Sequence, residues 1–497
     1  MGTRVFKPIS SQQDSYPRRW IGGALLGLMA VAFAGAAAAG DPVPSALRLT
    51  RPTLLPPPGT GVAKVCRPGD VTDVEWATSG ELRLVAEVVR DVSSLCTYRL
   101  EEGRDGEVNS TRAGRPRVGA ATNDSVQRLG AREVFGESEA RWAPPLQSRA
   151  PSTGCPVDGG KMNPSLLFTS SVPGSPERIF GTSDPLNGQA SVTTVFEYDG
   201  RGPNVRGTGR QDMYMAAWRN LAPLPEPEPG FAAVSHVDLS CGRSRIVYVP
   251  RPTCGGQSLQ PGHTVPLTNP CEDQRPGANT ADRYPAWGLS ADSKQERLAF
   301  VRSDGGLGSR VCITPSQRQL PTALDSYCFT SVPGAFPFFP AFTQDGRWLV
   351  WFEATNDREE RNQGGTDGLA NVMGVDLRQP GCGTWPPSAE CKSQKITTGV
   401  RTNGSHGPTT FMAMGAHWLL TSVQKKDLSN PLLLTSLDQP GRQMEIPSGL
   451  SHVRAVAAIP RGDKIQLALV ARGEQGVVGA DLENFKIYVT SIPAKGW

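Results

Sequence analysis

The chain has 497 residues and a formal net charge of +4, from 51 Lys and Arg residues against 47 Asp and Glu residues. Residues 1–40 hold four basic residues and one acidic residue, so the rest of the chain carries a net charge of about +1. A chain this close to neutral lacks the basic surface of nucleic-acid and membrane-surface binders, which argues against both classes of function.

Residues 1–40 have the pattern of an export signal. Basic residues precede an uncharged run from Trp20 to Gly40 that becomes rich in Ala and Gly. The small residues at 36–39 are of the kind that signal peptidase reads, so we expect cleavage near residue 39 or 40 and a periplasmic or secreted protein. About 20 apolar residues are also long enough for an uncleaved signal anchor. The weakly apolar composition of the run favours cleavage, after which we expect no membrane span.

Residues 41–61 contain six prolines and predict a stiff, extended lead-in. From about residue 62 to residue 497, short apolar runs alternate with Gly, Pro, Asp and Ser. Amphipathic helices longer than three turns are not evident there. This pattern predicts an all-β domain over residues 62–497.

Ten cysteines, an even number, agree with an oxidising compartment. The candidates for disulfide bonds are Cys66, Cys96, Cys155, Cys241, Cys254, Cys271, Cys312, Cys328, Cys382 and Cys391. Neighbours in sequence suggest the pairs 254–271, 312–328, 382–391, 66–96 and 155–241, although the sequence leaves the connectivity open. The sequence has no CxxC motif, and spacings of 9 to 17 residues fit loops better than zinc knuckles, which favours disulfides over metal ligation.

A repeated unit indicates the architecture. Units open near residues 74, 234, 284, 339, 411 and 453, and a less regular region with strand candidates lies between residues 165 and 218. Each unit reads as an apolar strand, a tight turn, a strongly apolar strand and then one or two more strands. Spacings of about 45–70 residues are typical of propeller blades. The prediction is a single all-β propeller of six or seven four-stranded blades.

Two of these units resemble a known repeat. Residues 285–300 read PAWGLSADSKQERLAF, and residues 340–352 read PAFTQDGRWLVWF. Both are similar to the WD40-like (PD40) repeat of TolB-type β-propellers, which reads roughly P-x-W/F-S-P-D-G-x-x-I-A-F. The first segment has two extra residues before its Ser, and the second has Gln for Pro. The resemblance implies a periplasmic platform for interactions with other proteins.

Catalytic signatures are absent from the sequence, which has no Gly-x-Ser-x-Gly elbow, HExxH motif, P-loop or EF-hand spacing. Histidines that stand near predicted inner-strand starts are the candidates for ligand binding. A polar ring for a ligand can therefore be formed by His236, Arg283, Tyr284, His406 and His452. The simpler interpretation, which we favour, is that each histidine packs locally against a turn.

We therefore expect an exported binding scaffold with an envelope or extracellular protein partner, and we expect no cofactor. The alternative is an exported lyase or hydrolase that acts on a polysaccharide through a His/Arg/Tyr cluster at the channel mouth.

Overall fold

In the computed structural model, the residues that are described fall between residues 48 and 495. They are 48–55, 69–77, 82–89, 93–102, 108–114, 136–142, 156–157, 160–161, 166–171, 178–182, 192–196, 213–218, 233–238, 244–249, 253–255, 258–260, 265–268, 280–289, 296–304, 308–315, 326–329, 334–354, 369–402, 406–423, 425, 430–475 and 484–495. The predicted export signal at residues 1–40 lies outside this set.

The chain is an all-β propeller. Its described strands form seven four-stranded antiparallel sheets, which we number I to VII. Sheet I comprises β2 (Asp70–Trp76), β3 (Arg83–Val89), β4 (Ser93–Glu102) and β5 (Val108–Gly114). Sheet II comprises β6 (Gly136–Trp142), β9 (Leu166–Ser171), β10 (Arg178–Thr182) and β11 (Val192–Phe196). Sheet III comprises β12 (Met213–Trp218), β13 (Ala233–Asp238), β14 (Ser244–Val249) and β17 (Val265–Pro266).

Sheets IV to VII continue in chain order. Sheet IV comprises β18 (Thr280–Leu289), β19 (Glu296–Asp304), β20 (Ser309–Ile313) and β21 (Tyr327–Cys328), and sheet V comprises β22 (Phe336–Phe342), β23 (Trp348–Ala354), β24 (Leu369–Asp376) and β25 (Gln394–Arg401). Sheet VI comprises β26 (Thr409–Ala413), β27 (Ala416–Ser422), β28 (Leu432–Ser436) and β29 (Gln443–Ile446). Sheet VII comprises β31 (Ala455–Arg461), β32 (Lys464–Ala471), β34 (Lys486–Pro493) and β1 (Thr53–Leu54). Three two-stranded pairs join β7 (Pro156–Val157) to β8 (Gly160–Lys161), β15 (Thr253–Gly255) to β16 (Ser258–Gln260), and β30 (Leu450–Ser451) to β33 (Gly473–Glu474).

The hairpin between β22 and β23 shows how the repeat folds locally. Gly346 adopts a φ of +69°, which the tight turn requires and which glycine tolerates. The Asp345 carboxylate accepts hydrogen bonds from the Thr343 hydroxyl at 2.8 Å and from the Arg347 backbone N–H at 3.1 Å. The strand that follows is buried over its first six residues. The strand, tight turn and second strand that the repeat predicts for the unit opening near residue 339 are confirmed.

Each sheet packs on the next one in chain order. Shared apolar clusters join sheets I and II, III and IV, IV and V, V and VI, and VI and VII, while β12 contacts β6 and β9 between sheets II and III. Sheet VII in turn packs on sheet I, where the Trp76 indole N–H donates to the Ala457 carbonyl at 3.3 Å. The core therefore lies between the faces of successive sheets, as blade packing requires.

The strand β1 comes from the segment that was expected to be an extended lead-in. Thr53 and Leu54 pair with Val489 and Tyr488 of β34, so the N-terminal part of the domain completes the last sheet. Leu55, which follows β1, is 3% exposed in the cluster between sheets VII and I. The prediction from composition missed this strand because six prolines in 21 residues mask a two-residue β pairing.

A charge network joins sheets V and VI. Arg347 lies between Asp376, at 2.9 Å, and Asp438, at 2.8 Å. Asp438 also accepts hydrogen bonds from the Trp348 indole N–H at 3.1 Å and from the His417 backbone N–H at 2.8 Å. The His417 ring is 3.0 Å from Asp438 through Nδ1 and 3.1 Å from Asp345 through Nε2. The Asp-Gly turn of one sheet is thereby tied to the next sheet.

Two of the suggested disulfide bonds are present, Cys312–Cys328 and Cys382–Cys391. Cys96 is also in a disulfide bond. Cys254 is described only through its backbone in β15, and the remaining candidates, Cys66, Cys155, Cys241 and Cys271, lie outside the described residues. The disulfides agree with an oxidising compartment. Among the described residues, we find no helix with the length and apolar character needed to cross a membrane.

Candidate functional site at the inner strands

One edge strand of each sheet contacts the edge strands of neighbouring sheets, and we call it the inner strand. The inner strands are β2, β6, β12, β18, β22, β26 and β31. In β6, β18 and β22 the pairing register skips two residues, and the first of the two adopts a φ of 55° (Glu139), 52° (Tyr284) or 49° (Phe339). His452, just before β31, has a φ of 51°. Non-glycine residues held in this conformation cost on the order of 1 kcal/mol each and concentrate at functional sites.

His406 precedes β26 in sheet VI and reaches side chains of two sheets that are not its neighbours. Its Nδ1 lies 2.5 Å from Asp73 Oδ2 in sheet I, and its Nε2 lies 2.8 Å from Arg141 Nη1 in sheet II. Glu75 Oε2, also in sheet I, is 3.4 Å from Nε2. Since sheet VII separates sheet VI from sheet I in chain order, these contacts cross the middle of the set of inner strands.

The register of the inner strands places these charged groups together. Asp73, Arg141, Ala286 and Ala341 are each the first paired residue after the register shift of their strand. This position is Ala in sheets IV and V and charged in sheets I and II. His406 is followed by Gly407, at which a Cβ atom would lie 2.7 Å from the Phe339 carbonyl oxygen and from the Ala341 Cβ. Glycine therefore permits the close approach that brings His406 to the cluster.

Backbone groups fix the two carboxylates of sheet I. The Val74 N–H donates to Asp73 Oδ1 at 2.9 Å, and the Trp142 N–H donates to Glu75 Oε2 at 3.2 Å. The Trp142 indole N–H donates to the Glu75 carbonyl at 3.2 Å. Burial and the charge of Arg141 both lower the pKa of His406. The charges of Asp73 and Glu75 and the Asp73 hydrogen bond outweigh them and raise the pKa of His406 to about 9.

Two hydrogen-bonding states of His406 follow from this geometry. A guanidinium can only donate, so the contact between Arg141 Nη1 and Nε2 is that of a neutral ring whose Nδ1–H donates to Asp73. Protonation turns Nε2 into a donor, for which Glu75 Oε2 is the nearby acceptor. The His406 ring can thus hold a proton between the Asp73 and Glu75 carboxylates, and Arg141 competes with that proton for Nε2.

Aromatic rings lie beside the charged groups. Tyr284 and Phe339 meet edge to face with 4.9 Å between ring centroids, and Phe338 packs on Phe339 at 5.4 Å. Burial raises the pKa of Tyr284; the nearby charge of Arg283 lowers it and that of Glu139 raises it. Glu139 accepts a hydrogen bond from the Thr169 hydroxyl at 2.9 Å. We define the inner-strand cluster as seven residues: Asp73, Glu75, Glu139, Arg141, Tyr284, Phe339 and His406.

The five candidates from the sequence are not all in one place. Tyr284 and His406 belong to the inner-strand cluster. Arg283 donates through Nε to the Ser244 hydroxyl at 2.9 Å and so links sheets IV and III. His452 lies near Arg401 and Arg472, which lower its pKa together with burial. His236 lies in β13, between β12 and β14, rather than at the start of an inner strand, because sheet III opens with β12. A ligand-binding role for these residues stays a prediction.

The four charged residues at 73, 75, 139 and 141 were not predicted from the sequence. The strand β6 escaped because its sequence, GESEARW, is mostly polar. The available signal was its final Trp142, since the inner strands β2 and β12 also end in Trp, β18 has Trp third from its end, and β22 ends in Phe. Within the part of the chain that is described, no group of three or more His, Cys, Asp or Glu residues is arranged to hold a metal ion.

Comparisons with known proteins identify no family. No protein-family model and no curated protein matches the chain. Similar solved structures include the Dos1 propeller (8% identity over 90% of this chain and 96% of that chain, TM-score 0.43). Prolyl oligopeptidase B from Galerina marginata is 11% identical over 90% of this chain, with a TM-score of 0.43. The match covers only about half (52%) of the oligopeptidase. An α-L-arabinofuranosidase from Lactobacillus brevis is 12% identical over 56% of this chain and 93% of that chain, with a TM-score of 0.30. Likenesses this distant say nothing about activity.

Proposed function

We propose that the chain is an exported propeller that acts as a binding scaffold and recognises a protein or peptide segment at the inner-strand cluster. The disulfide bonds support export to an oxidising compartment. The observation that carries the binding role is that both ring nitrogens of His406 are engaged by side chains of other sheets. A histidine tied down in this way is suited to holding a surface in shape rather than to shuttling protons during turnover.

The composition of the cluster supports recognition of a peptide. The half-buried aromatic rings of Tyr284 and Phe339 contact each other, and Tyr284 lies near the Glu139 carboxylate. Arg141 follows Glu139 by two residues in β6 and contacts His406. Protein-binding surfaces combine aromatic anchors with arginine in this manner. The left-handed backbone at Glu139, Tyr284 and Phe339 is maintained at a cost in stability, as is typical of functional positions.

Photo-crosslinking tests this proposal. A photoreactive phenylalanine derivative at Phe339 should capture a discrete protein partner in cells that export the protein, and Arg141→Gln should reduce the yield. The control places the same derivative at Lys392, an exposed position in the loop beside the Cys382–Cys391 disulfide. The proposal is contradicted if position 339 captures nothing, or if positions 339 and 392 capture the same proteins.

An enzyme remains the second candidate, because His406 lies between Asp73 and Glu75 with its pKa raised to about 9. A protonated histidine near two carboxylates can act as a general acid. Assays of the purified protein on acidic and neutral polysaccharides should show no new reducing ends and no unsaturated products if the chain is a scaffold. Turnover that disappears in His406→Gln, while the variant still folds, would overturn the scaffold proposal.

A further inference from the structure

A second group of cationic side chains surrounds the start of β31 and shares no residue with the inner-strand cluster. Arg472 follows β32, and its backbone N–H donates to the Ser451 carbonyl at 3.2 Å. Ser451 of β30 also pairs with Gly473 of β33, the residue after Arg472, in an antiparallel ladder. Arg454 is 6% exposed and donates through its backbone N–H to the Val470 carbonyl at 2.7 Å. The backbone thus holds Arg472 beside Ser451, the residue that precedes His452, and holds Arg454 next to β32.

An aromatic ring holds the two guanidinium groups close together. The Phe485 ring centroid is 4.9 Å from the Arg454 guanidinium carbon and 5.0 Å from that of Arg472. Contact with a ring face stabilises each cation, and it offsets part of their mutual repulsion. Asp70 is 3.5 Å from Arg454 Nη1, but it also accepts the Phe485 backbone N–H at 2.6 Å, so its charge is shared.

Two nitrogen atoms in this group are buried and make no hydrogen bond to the residues that the structure describes. They are Nδ1 of His452 and Nε of Arg472. Buried polar atoms of native proteins almost always have partners, and a bound ligand can supply the partner that these two atoms lack. His452 is also held at a φ of 51°. Burial lowers the pKa of His452, and the charges of Arg472 and Arg401 lower it further, so the ring is neutral in surroundings that are positive.

We propose that His452, Arg472 and Arg401 form a binding site for an oxyanion, the carboxylate, sulfate or phosphate group of a ligand. Such a group accepts from Arg472 Nε–H and, once the ring is protonated, from His452. The site goes beyond the proposed function, because it shares no residue with the inner-strand cluster and can hold its ligand whether or not a protein partner binds there.

Anion binding at this site is coupled to protonation of His452. Other charged groups at this end of the surrounding elements include Arg401 at the end of β25, Arg454 before β31, Asp70 at the start of β2, the exposed Glu474 in β33 and Lys486 at the start of β34. Cations prevail among them, which disfavours the imidazolium until an anion arrives. A bound oxyanion must therefore raise the pKa of His452, and affinity for the oxyanion must increase as the pH falls.

NMR titration of the His452 ring, assigned by comparison with His452→Gln, tests the proposal on the full-length mature protein. Inorganic sulfate, inorganic phosphate and acetate are compared with chloride at constant ionic strength, because free anions also screen charges. We expect at least one oxyanion to raise the pKa of His452 by about one unit relative to chloride. If none of the three oxyanions differs from chloride, the proposal is overturned.

Two arginine variants separate a built site from general attraction to positive charge. Arg472→Gln should weaken binding of the same oxyanion about tenfold, since a charge-assisted hydrogen bond is lost. Arg461→Gln removes an exposed cation at the far end of β31 and should leave the affinity unchanged. Equal losses in the two variants, or no loss in Arg472→Gln with its fold intact by circular dichroism, would refute the site.

Discussion

His406 shows how a single side chain can link distant parts of the chain. It is separated by 333 residues from Asp73 and by 265 residues from Arg141, yet it contacts both. Its sequence context, Ser-His-Gly-Pro, gives no indication of either partner. The residue was selected from the sequence only because it stands near the start of a blade. Its partners depend on the closeness of the inner strands, which no local pattern reveals.

The stability of the protein should depend on pH through His406. The pKa of this histidine is raised from 6.5 to about 9 in the folded state. The stabilisation is therefore fully present below pH 6.5 and is lost as the pH rises through about 9. We expect the free energy of unfolding in urea to fall between pH 6.5 and 9.5 by on the order of 2–3 kcal/mol more than in His406→Gln.

His452→Gln serves as the control for this measurement. The pKa of His452 is lowered, so its titration affects stability only at more acidic pH. The decline above pH 6.5 should persist in that variant. A decline of the same size in His406→Gln as in the native protein would show that His406 does not bind a proton in the way described.

At the scale of elements, the hairpin from β22 to β23 connects two strands of sheet V and also contacts sheet VI through Asp345. Its tight turn was predicted from the repeat and is confirmed. The partners of that turn, His417 and Asp438, lie in the next sheet and could not be inferred. The turn from β26 to β27 has an unusual residue, because Met414 occupies a left-handed position, at a φ of 52°, where Asn or Gly is usual.

Asp438 should be the most sensitive member of the network between sheets V and VI. Burial raises its pKa, but hydrogen bonds from the His417 backbone and ring and from the Trp348 indole outweigh burial and lower it. Asp438→Asn should cost about 2 kcal/mol of unfolding free energy near neutral pH. The difference should shrink as the pH falls below 3.8, because the native carboxylate then takes up a proton.

Asp463→Asn is the matched control, since this aspartate is exposed in the turn between β31 and β32. Its effect should stay within about 0.5 kcal/mol. If both variants cost the same, the network between the sheets contributes no more than a surface charge does.

At the scale of the whole molecule, the N-terminal segment and the C-terminal strand complete one sheet. The all-β propeller and its four-stranded sheets were predicted from the periodicity of turns and apolar runs, and the structure agrees. The role of β1 was not predicted, because the segment is short and rich in proline. Thr50 adds to the pairing, since its hydroxyl accepts the Ser491 backbone N–H at 2.9 Å.

Two adjacent leucines test the contribution of this segment. Leu55 is 3% exposed and packs between sheets VII and I, whereas Leu54 is 44% exposed. Leu55→Ala should cost about 2–3 kcal/mol, and Leu54→Ala should cost less than about 0.5 kcal/mol, as measured by urea unfolding. Similar losses for both would contradict the packing of this segment against the last sheet.

Side chains of β2 in sheet I, of β6 in sheet II and of the segment before β26 in sheet VI meet at one site, and the protein's proposed function depends on this meeting. A double-mutant cycle on Asp73→Asn and His406→Gln, measured by urea unfolding at pH 7, tests it most directly. We expect a coupling energy of about 1–2 kcal/mol, because the two side chains share a hydrogen bond across the middle of the molecule. Strictly additive effects of the two substitutions would contradict the claim.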